Sequence, residues 1–219
     1  AGNSMFIGHF AAAYAAKRVA PRTSLGTLFF AAQFLDLLWP LLLLTGIERL
    51  SLAPAGAVVP LVSEHFPWSH SLLLALVWSG VVGGAFWGFK RDRRAALVVG
   101  ALVLSHWFLD FVVHLPDLPR WPGDDMRLGL GLWNTPIIAL AVEFALLAGG
   151  VTLYLSATRP VRGTGRWGTW FLIALLAVIQ LGNAFGPPPP SPMVVAWTAM
   201  AMWLLVWLGW WTDGARQSR

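Results

Sequence analysis

The sequence predicts an all-α, polytopic transmembrane helical bundle with six or seven membrane segments. Three observations carry that expectation. The chain is 57% hydrophobic and 11% charged, whereas soluble domains carry about 25% charged residues. Its apolar residues fall into long runs near the roughly 20 residues that cross a bilayer. Its Lys and Arg gather in short connections between those runs, the pattern that orients a protein in a membrane. The mean hydropathy of +0.65 agrees, and fourteen Trp suit rings that sit at the two water–lipid interfaces.

Six runs are long enough to span: Leu25–Gly46, His70–Phe89, Ala95–Leu115, Leu128–Ala157, Trp167–Gly186 and Met193–Trp211. Met5–Ala20 is shorter and Ala-rich, and reads as a short span, a re-entrant helix or an interfacial helix. Pro40 lies four residues after Asp36, so it should free the Asp36 carbonyl and kink the helix there. Leu52–Pro67 is an apolar loop with Gly and Pro that can dip back where protein covers it. Pro116–Asp125 is a polar loop with three prolines, and Pro187–Pro190 a rigid polyproline turn. Residues 1–4 precede Met5 and read as a cloning remnant. One integral membrane domain is expected over 5–219, with 5–115 as a metal-site half and 128–212 as supporting helices.

Basic clusters occupy every second connection: Lys17, Arg18 and Arg22; Lys90, Arg91, Arg93 and Arg94; Arg159, Arg162 and Arg166; then Arg216 and Arg219. The positive-inside rule makes these cytoplasmic in a bacterial-type inner (plasma) membrane. The formal charge of +5 is dispersed among these clusters, so no nucleic-acid partner is expected. The chain has no Cys, which excludes disulfides, thiolate metal sites and cysteine nucleophiles.

All five histidines, His9, His65, His70, His106 and His114, lie in the first 114 residues. Asp36 and Asp110 accompany them inside apolar runs. An ionisable group in a span is costly and points to function, and imidazole with carboxylate is a common ligand set for zinc and related metals. In Ser105-His106-Trp107-Phe108-Leu109-Asp110, the His and Asp are four apart and share a helix face; His114 continues the spacing. Such a pair either clasps one metal or uses the carboxylate to orient the imidazole. In His65-Phe66-Pro67-Trp68-Ser69-His70-Ser71, Pro67 places His65 before a helix that His70 opens, with Ser69 as N-cap. Gly8-His9 and the lone Asp36 complete the set. Glu143 is the one acidic residue in the core of its run, and Gln180 and Asn183 mark the next. At 1.5 Å per residue, Asp36 and His106 lie roughly 16 Å above the basic level, Asp110 about one turn higher, and Glu143 and Gln180 close by. His70 comes out about 30 Å up, which requires a tilted helix, an inward-drawn loop or a second metal.

Gly8-His9, an Asp ending an apolar run, His65 to Ser71 and Ser105 to Asp110, in that order, resemble the membrane-bound, metal-dependent hydrolase family typified by the LexA-regulated YdjM-like proteins. The resemblance covers roughly Met5 to Leu115. It implies His9, Asp36, His65, His70, His106 and Asp110 as the metal-site set. The chain departs from the family pattern at Asp36, which stands alone instead of in a Pro-Asp-x-Asp turn. It departs again at Phe66, where a basic residue is usual.

The expected function is a membrane-embedded hydrolase holding one or two divalent ions, zinc by preference. Asp36, Glu64 or Glu143 would act as general base on a lipid-like ester or phosphoester. The alternative is a metal-ion or proton transporter using the same cluster, although the basic half of the bundle is poor in ionisable residues. A haem protein would need facing histidines at one height. A retinal protein would need a lysine inside a span, and Lys17 and Lys90 sit at the edges. A metal-free scaffold would be indifferent to loss of its histidines.

Overall fold

The computed structural model describes residues 6–54 and 56–219. In chain order the elements are α1 (Ile7–Ala16), α2 (Leu25–Ala32), α3 (Phe34–Leu44), β1 (Arg49–Leu52), β2 (Leu61–His65), α4 (Pro67–His70), α5 (Leu72–Lys90), α6 (Arg93–Val113), β3 (Leu118–Pro119), β4 (Arg127–Leu128), a 3-10 turn (Leu132–Asn134), α7 (Pro136–Ala157), β5 (Thr158–Pro160), α8 (Gly163–Phe185), α9 (Pro192–Met200), α10 (Met202–Asp213) and β6 (Arg216–Ser218). The protein is therefore mainly helical, but not all-α. Three short antiparallel ladders, β1–β2, β3–β4 and β5–β6, lie in its connections. They were not expected because two- to five-residue strands leave too little alternation to read.

Among the described residues, α5, α6, α7, α8 and the α9–α10 pair are long and apolar enough to cross a membrane. The run at Leu25–Gly46 becomes α2 and α3, which meet at 57° and make a sixth crossing if the bent pair is one span. The break falls at Gln33, not at Pro40, which α3 accommodates inside its length. Gln33 is fully buried, and its side-chain amide donates to the Phe6 carbonyl at 3.4 Å, so the bend is fixed by packing onto the chain entering α1. Met5 lies outside the described residues. From Ile7 onward the first run forms a helix of ten residues, about 15 Å long and half of a hydrocarbon core. It is buried along most of its length and packs against α7, α2 and α6.

Two features seat α1. A Cβ at Gly150 on α7 would overlap the Ala11 carbonyl oxygen, so only glycine lets the two backbones approach. α1 also lacks a side-chain cap of its own. The Glu143 carboxylate, reaching from α7, accepts the Phe6 and Ile7 backbone N–H groups at 3.0 and 3.1 Å. A carboxylate at a helix N-terminus satisfies orphan donors and complements the dipole.

The core joins α1, α2, α6 and α7 through Phe10, Tyr14, Leu28, Phe29, Val103, Leu147 and Tyr154, all buried. α5 lies against α6, α3 against α9, and α10 against α2 and α8. Leu52–Pro67 does not dip back: it contains the β1–β2 hairpin, with Val58 and Val62 exposed. The run expected to begin at Leu128 starts its helix at Pro136. Its first residues form β4 and the 3-10 turn, joined by Gly129 at φ 152°, where a Cβ would overlap the Leu115 carbonyl.

Candidate metal centre

Four histidines and two aspartates meet at the end of the bundle opposite the basic clusters. His106 and Asp110 come from one face of α6, as their four-residue spacing requires, and the Nε2 to Oδ2 distance is 3.3 Å. Asp36 enters from the first turn of α3. Its Oδ1 lies 3.3 Å from His70 Nε2 and 3.6 Å from His106 Nε2. His70 Nε2 is also 3.7 Å from Asp110 Oδ2. His9 enters on α1, with Nε2 3.2 Å from Asp110 Oδ1 and its ring stacked on His106 at 3.8 Å, nearly parallel. His114, the C-cap of α6, points Nε2 at Asp110 Oδ1 from 3.8 Å.

The remote ring nitrogens are anchored, and this fixes tautomers. His106 Nδ1 lies 2.7 Å from the Ala32 carbonyl oxygen. A carbonyl only accepts, so Nδ1 carries the proton and the neutral ring keeps its Nε2 lone pair for the cluster. Ala32 closes α2 at the Gln33 break, and a helix end leaves carbonyls without intrahelical partners. The bend that interrupts the span thus supplies the group that aims His106.

His70 is anchored by a relay. Its Nδ1 is 2.7 Å from Ser69 Oγ, and that hydroxyl donates to Glu48 Oε2 at 2.7 Å. The single hydroxyl proton is committed to the carboxylate, so Ser69 accepts from Nδ1 and again Nε2 is free. Glu48, 1% exposed, also accepts the Trp68 and Ser69 backbone N–H groups at 2.8 Å. Ser69 is therefore a link to Glu48 rather than the expected N-cap. Ser71 caps α5, accepting from the Leu74 N–H. His114 Nδ1 is held by Asp117 Oδ1 at 2.9 Å.

Acceptors thus face acceptors. Three of the four imidazoles have Nδ1 committed as donor, and their Nε2 atoms point at carboxylate oxygens. His9 Nε2, His106 Nε2 and Asp110 Oδ2 are buried and make no hydrogen bond among the described residues. Lone pairs converging in an apolar interior need a positive charge between them. Donor atoms of His9, Asp36 and His106 lie within 4.8 Å of one another, as do those of His70, His106 and Asp110. Imidazole nitrogen and carboxylate oxygen at this spacing fit zinc or a similar divalent ion.

His70 joins the centre despite its expected height because the centre is higher than the middle of the bundle. Asp110 is three residues from the end of α6, about 26 Å from Arg93 along the helix. α4 is a separate turn before α5, with an extended Ser71 between them, and Trp107 Nε1 donates to the His70 carbonyl at 2.9 Å.

The structure does not bring every expected residue in. His65 ends β2 opposite Arg49, and Glu64 beside it is exposed. Both line a small cleft of about 120 Å³ with Asp124, Asp125 and Arg127 and belong to neither ligand group. Glu143 is buried but caps α1. Sequence reasoning missed Glu48, Ala32 and Asp117 as anchors. Asp117, three residues after His114, was the only one with a readable spacing. No protein-family model, curated protein or solved structure matches this chain.

Proposed function

We propose that the protein is a membrane-embedded, metal-dependent hydrolase acting on a lipid-like ester or phosphoester, as its motif order resembling the YdjM-like family implies. The observation that carries the reading is the set of buried, unpartnered donor atoms around Asp110. Two carboxylates and four imidazoles, three of them anchored at Nδ1, leave two negative charges in an apolar bundle, and one divalent cation would balance them.

Bound zinc or a similar ion would supply an acidified water and polarise the carbonyl or phosphoryl oxygen of a substrate. The chain's own groups do the rest. His70, His106 and Asp110 would hold the ion, with Asp36 beside them and a fourth position left for water. Asp36 is also the group that substrate reaches, its side chain being 20% exposed against 6% or less for the other three. It is therefore placed to accept a proton from the attacking water, the general-base role. Glu48 through Ser69, and the Ala32 carbonyl, hold the imidazoles in register. Phe34, Leu38 and Trp39 flank Asp36 on α3 and are partly exposed. An acyl chain lying against them would bring its ester to the carboxylate from within the bilayer. By the positive-inside rule, the basic connections at the opposite end support an orientation with the centre toward the outer side of a bacterial-type plasma membrane.

The test uses purified protein in detergent, loaded with zinc and desalted, then assayed on fluorogenic lipid esters and phosphoesters beside Asp36→Asn and Asp110→Asn. Chelator-sensitive turnover, restored by zinc and abolished in both variants, is expected. Wild type that retains no metal overturns the reading and makes the histidines proton-holding groups.

A further inference from the structure

We propose that the centre holds two divalent cations bridged by Asp110, the second carried by His9 and His114. This rests on the metal-centre reading above and goes beyond it in ligand set and ion count.

The two oxygens of Asp110 face different histidines. Oδ2 looks toward His106 and His70, at 3.3 and 3.7 Å, and Oδ1 toward His9 and His114, at 3.2 and 3.8 Å. A tetrahedral zinc takes four donors. His70, His106, Asp110 Oδ2 and a water fill that number at a catalytic site, with Asp36 Oδ1 beside them. His9 and His114 are then left outside that set, with Nε2 directed at the other oxygen of Asp110. His9 is 1% exposed, and neither of its nitrogens makes a hydrogen bond among the described residues. A buried imidazole that faces a carboxylate oxygen while its other nitrogen is unbonded is suited to metal ligation.

His114 carries the same device as His70 and His106. Asp117 holds its Nδ1, so Nε2 is the free nitrogen, and carboxylate–imidazole–metal chains are a recurrent way of aiming a ligand. Its ring also lies against Trp133 at 4.1 Å, which limits its swing. A carboxylate bridging two ions about 3.5–4 Å apart is the geometry of two-metal hydrolases. Asp36, Asp110 and Asp117 supply three negative charges against four positive ones, leaving the centre attractive to an anionic phosphoester.

Metal content and ion coupling test this without reference to turnover. Wild type in detergent is loaded with zinc, desalted and analysed, and a parallel sample is loaded with Mn²⁺ for electron paramagnetic resonance. Two equivalents and a spin-coupled spectrum are expected. His114→Asn, which keeps a donor toward Asp117 and removes the Nε2 ligand, should hold one equivalent and give the six-line spectrum of isolated Mn²⁺. His114→Ala should do the same, with helical circular dichroism confirming its fold. One equivalent in wild type, unchanged in both variants, overturns the second ion and leaves a mononuclear hydrolase intact. No metal in wild type removes both readings.

Discussion

The bundle buries a polar cluster at each end, and the two are built on opposite principles. At the basic end Asp213 is saturated. Its Oδ2 accepts the Lys17 ammonium and the Leu25 N–H, and its Oδ1 accepts the Tyr154 hydroxyl at 2.9 Å. Lys17 and Asp213 cancel in charge, and Lys17 has a further acceptor in the Thr23 carbonyl. At the other end, the anchored imidazoles of His70, His106 and His114 turn Nε2 lone pairs toward the carboxylates. The Asp213 carboxylate is fully partnered and clamps α1, α2 and α10. The second cluster could hold a metal ion. Burial of ionisable groups is common to both. What distinguishes a ligand site from a structural one is whether the hydrogen-bond accounts close within the protein.

Breaking each cluster should therefore have different consequences. The largest effect is expected for His106→Ala combined with Asp110→Asn: bound metal falls from one or two equivalents to background while helical content persists. Elemental analysis beside circular dichroism reads both. Metal retained by this variant would place the ion elsewhere. Lys17→Met, which strands Asp213, should cost about 3–5 kcal/mol of stability and leave zinc stoichiometry unchanged in the protein that remains folded. Thermal unfolding in detergent measures the first and metal analysis the second. An equal loss of metal would show that the two ends are not independent.

The anchors should give intermediate effects. Glu48→Gln disturbs the Ser69–His70 relay without touching the metal, so zinc affinity is expected to fall 10–100-fold in chelator competition. Glu143→Gln weakens the cap on α1 and displaces His9 indirectly. A smaller loss of affinity is expected, together with faster hydrogen exchange in α1. Unchanged affinity in Glu48→Gln would reduce the relay to a structural bond.

The smallest effect concerns the loop over the metal end. The Arg120 guanidinium grips Asp124 through two bonds, at 2.7 and 2.9 Å, and holds its carboxyl below the usual carboxylate range. A carboxylate with a depressed folded pKa stabilises where it is ionised. Its contribution is complete above the ordinary Asp value of about 3.9 and is lost as pH falls through that value toward the folded one. Acidification below about pH 4 should loosen this loop, read as a change in Trp121 fluorescence, since Trp121 lies under the same guanidinium. Arg120→Ala should move that change upward in pH.

Much of the site was legible because lipid is an unforgiving solvent. Asp36, His70, His106 and Asp110 each interrupt or border an apolar run, and such interruptions are visible in one dimension. The anchors were not, because nothing local marks them. Glu48 looks like an ordinary loop acid beside Arg49, and Ala32 acts through its backbone. Glu143 was visible as a buried acid, but as a general base rather than as the cap of a helix far from it in sequence. His65 entered the ligand set through the family resemblance, yet the β1–β2 ladder turns it toward the loop cleft.

By itself the sequence determined the membrane class, the places where long apolar helices form, and most of the His and Asp residues that meet in one cluster. Those follow from hydropathy and helical periodicity, which act along the chain. Tertiary structure alone decided where the Leu25–Gly46 run breaks, that α1 is an inserted helix, and which ring nitrogen of His70, His106 and His114 is free. These depend on pairs such as Ala32 with His106, Glu143 with Ile7 and Gly150 with Ala11. Hydrogen bonds and steric approach between distant segments are fixed only when the helices pack.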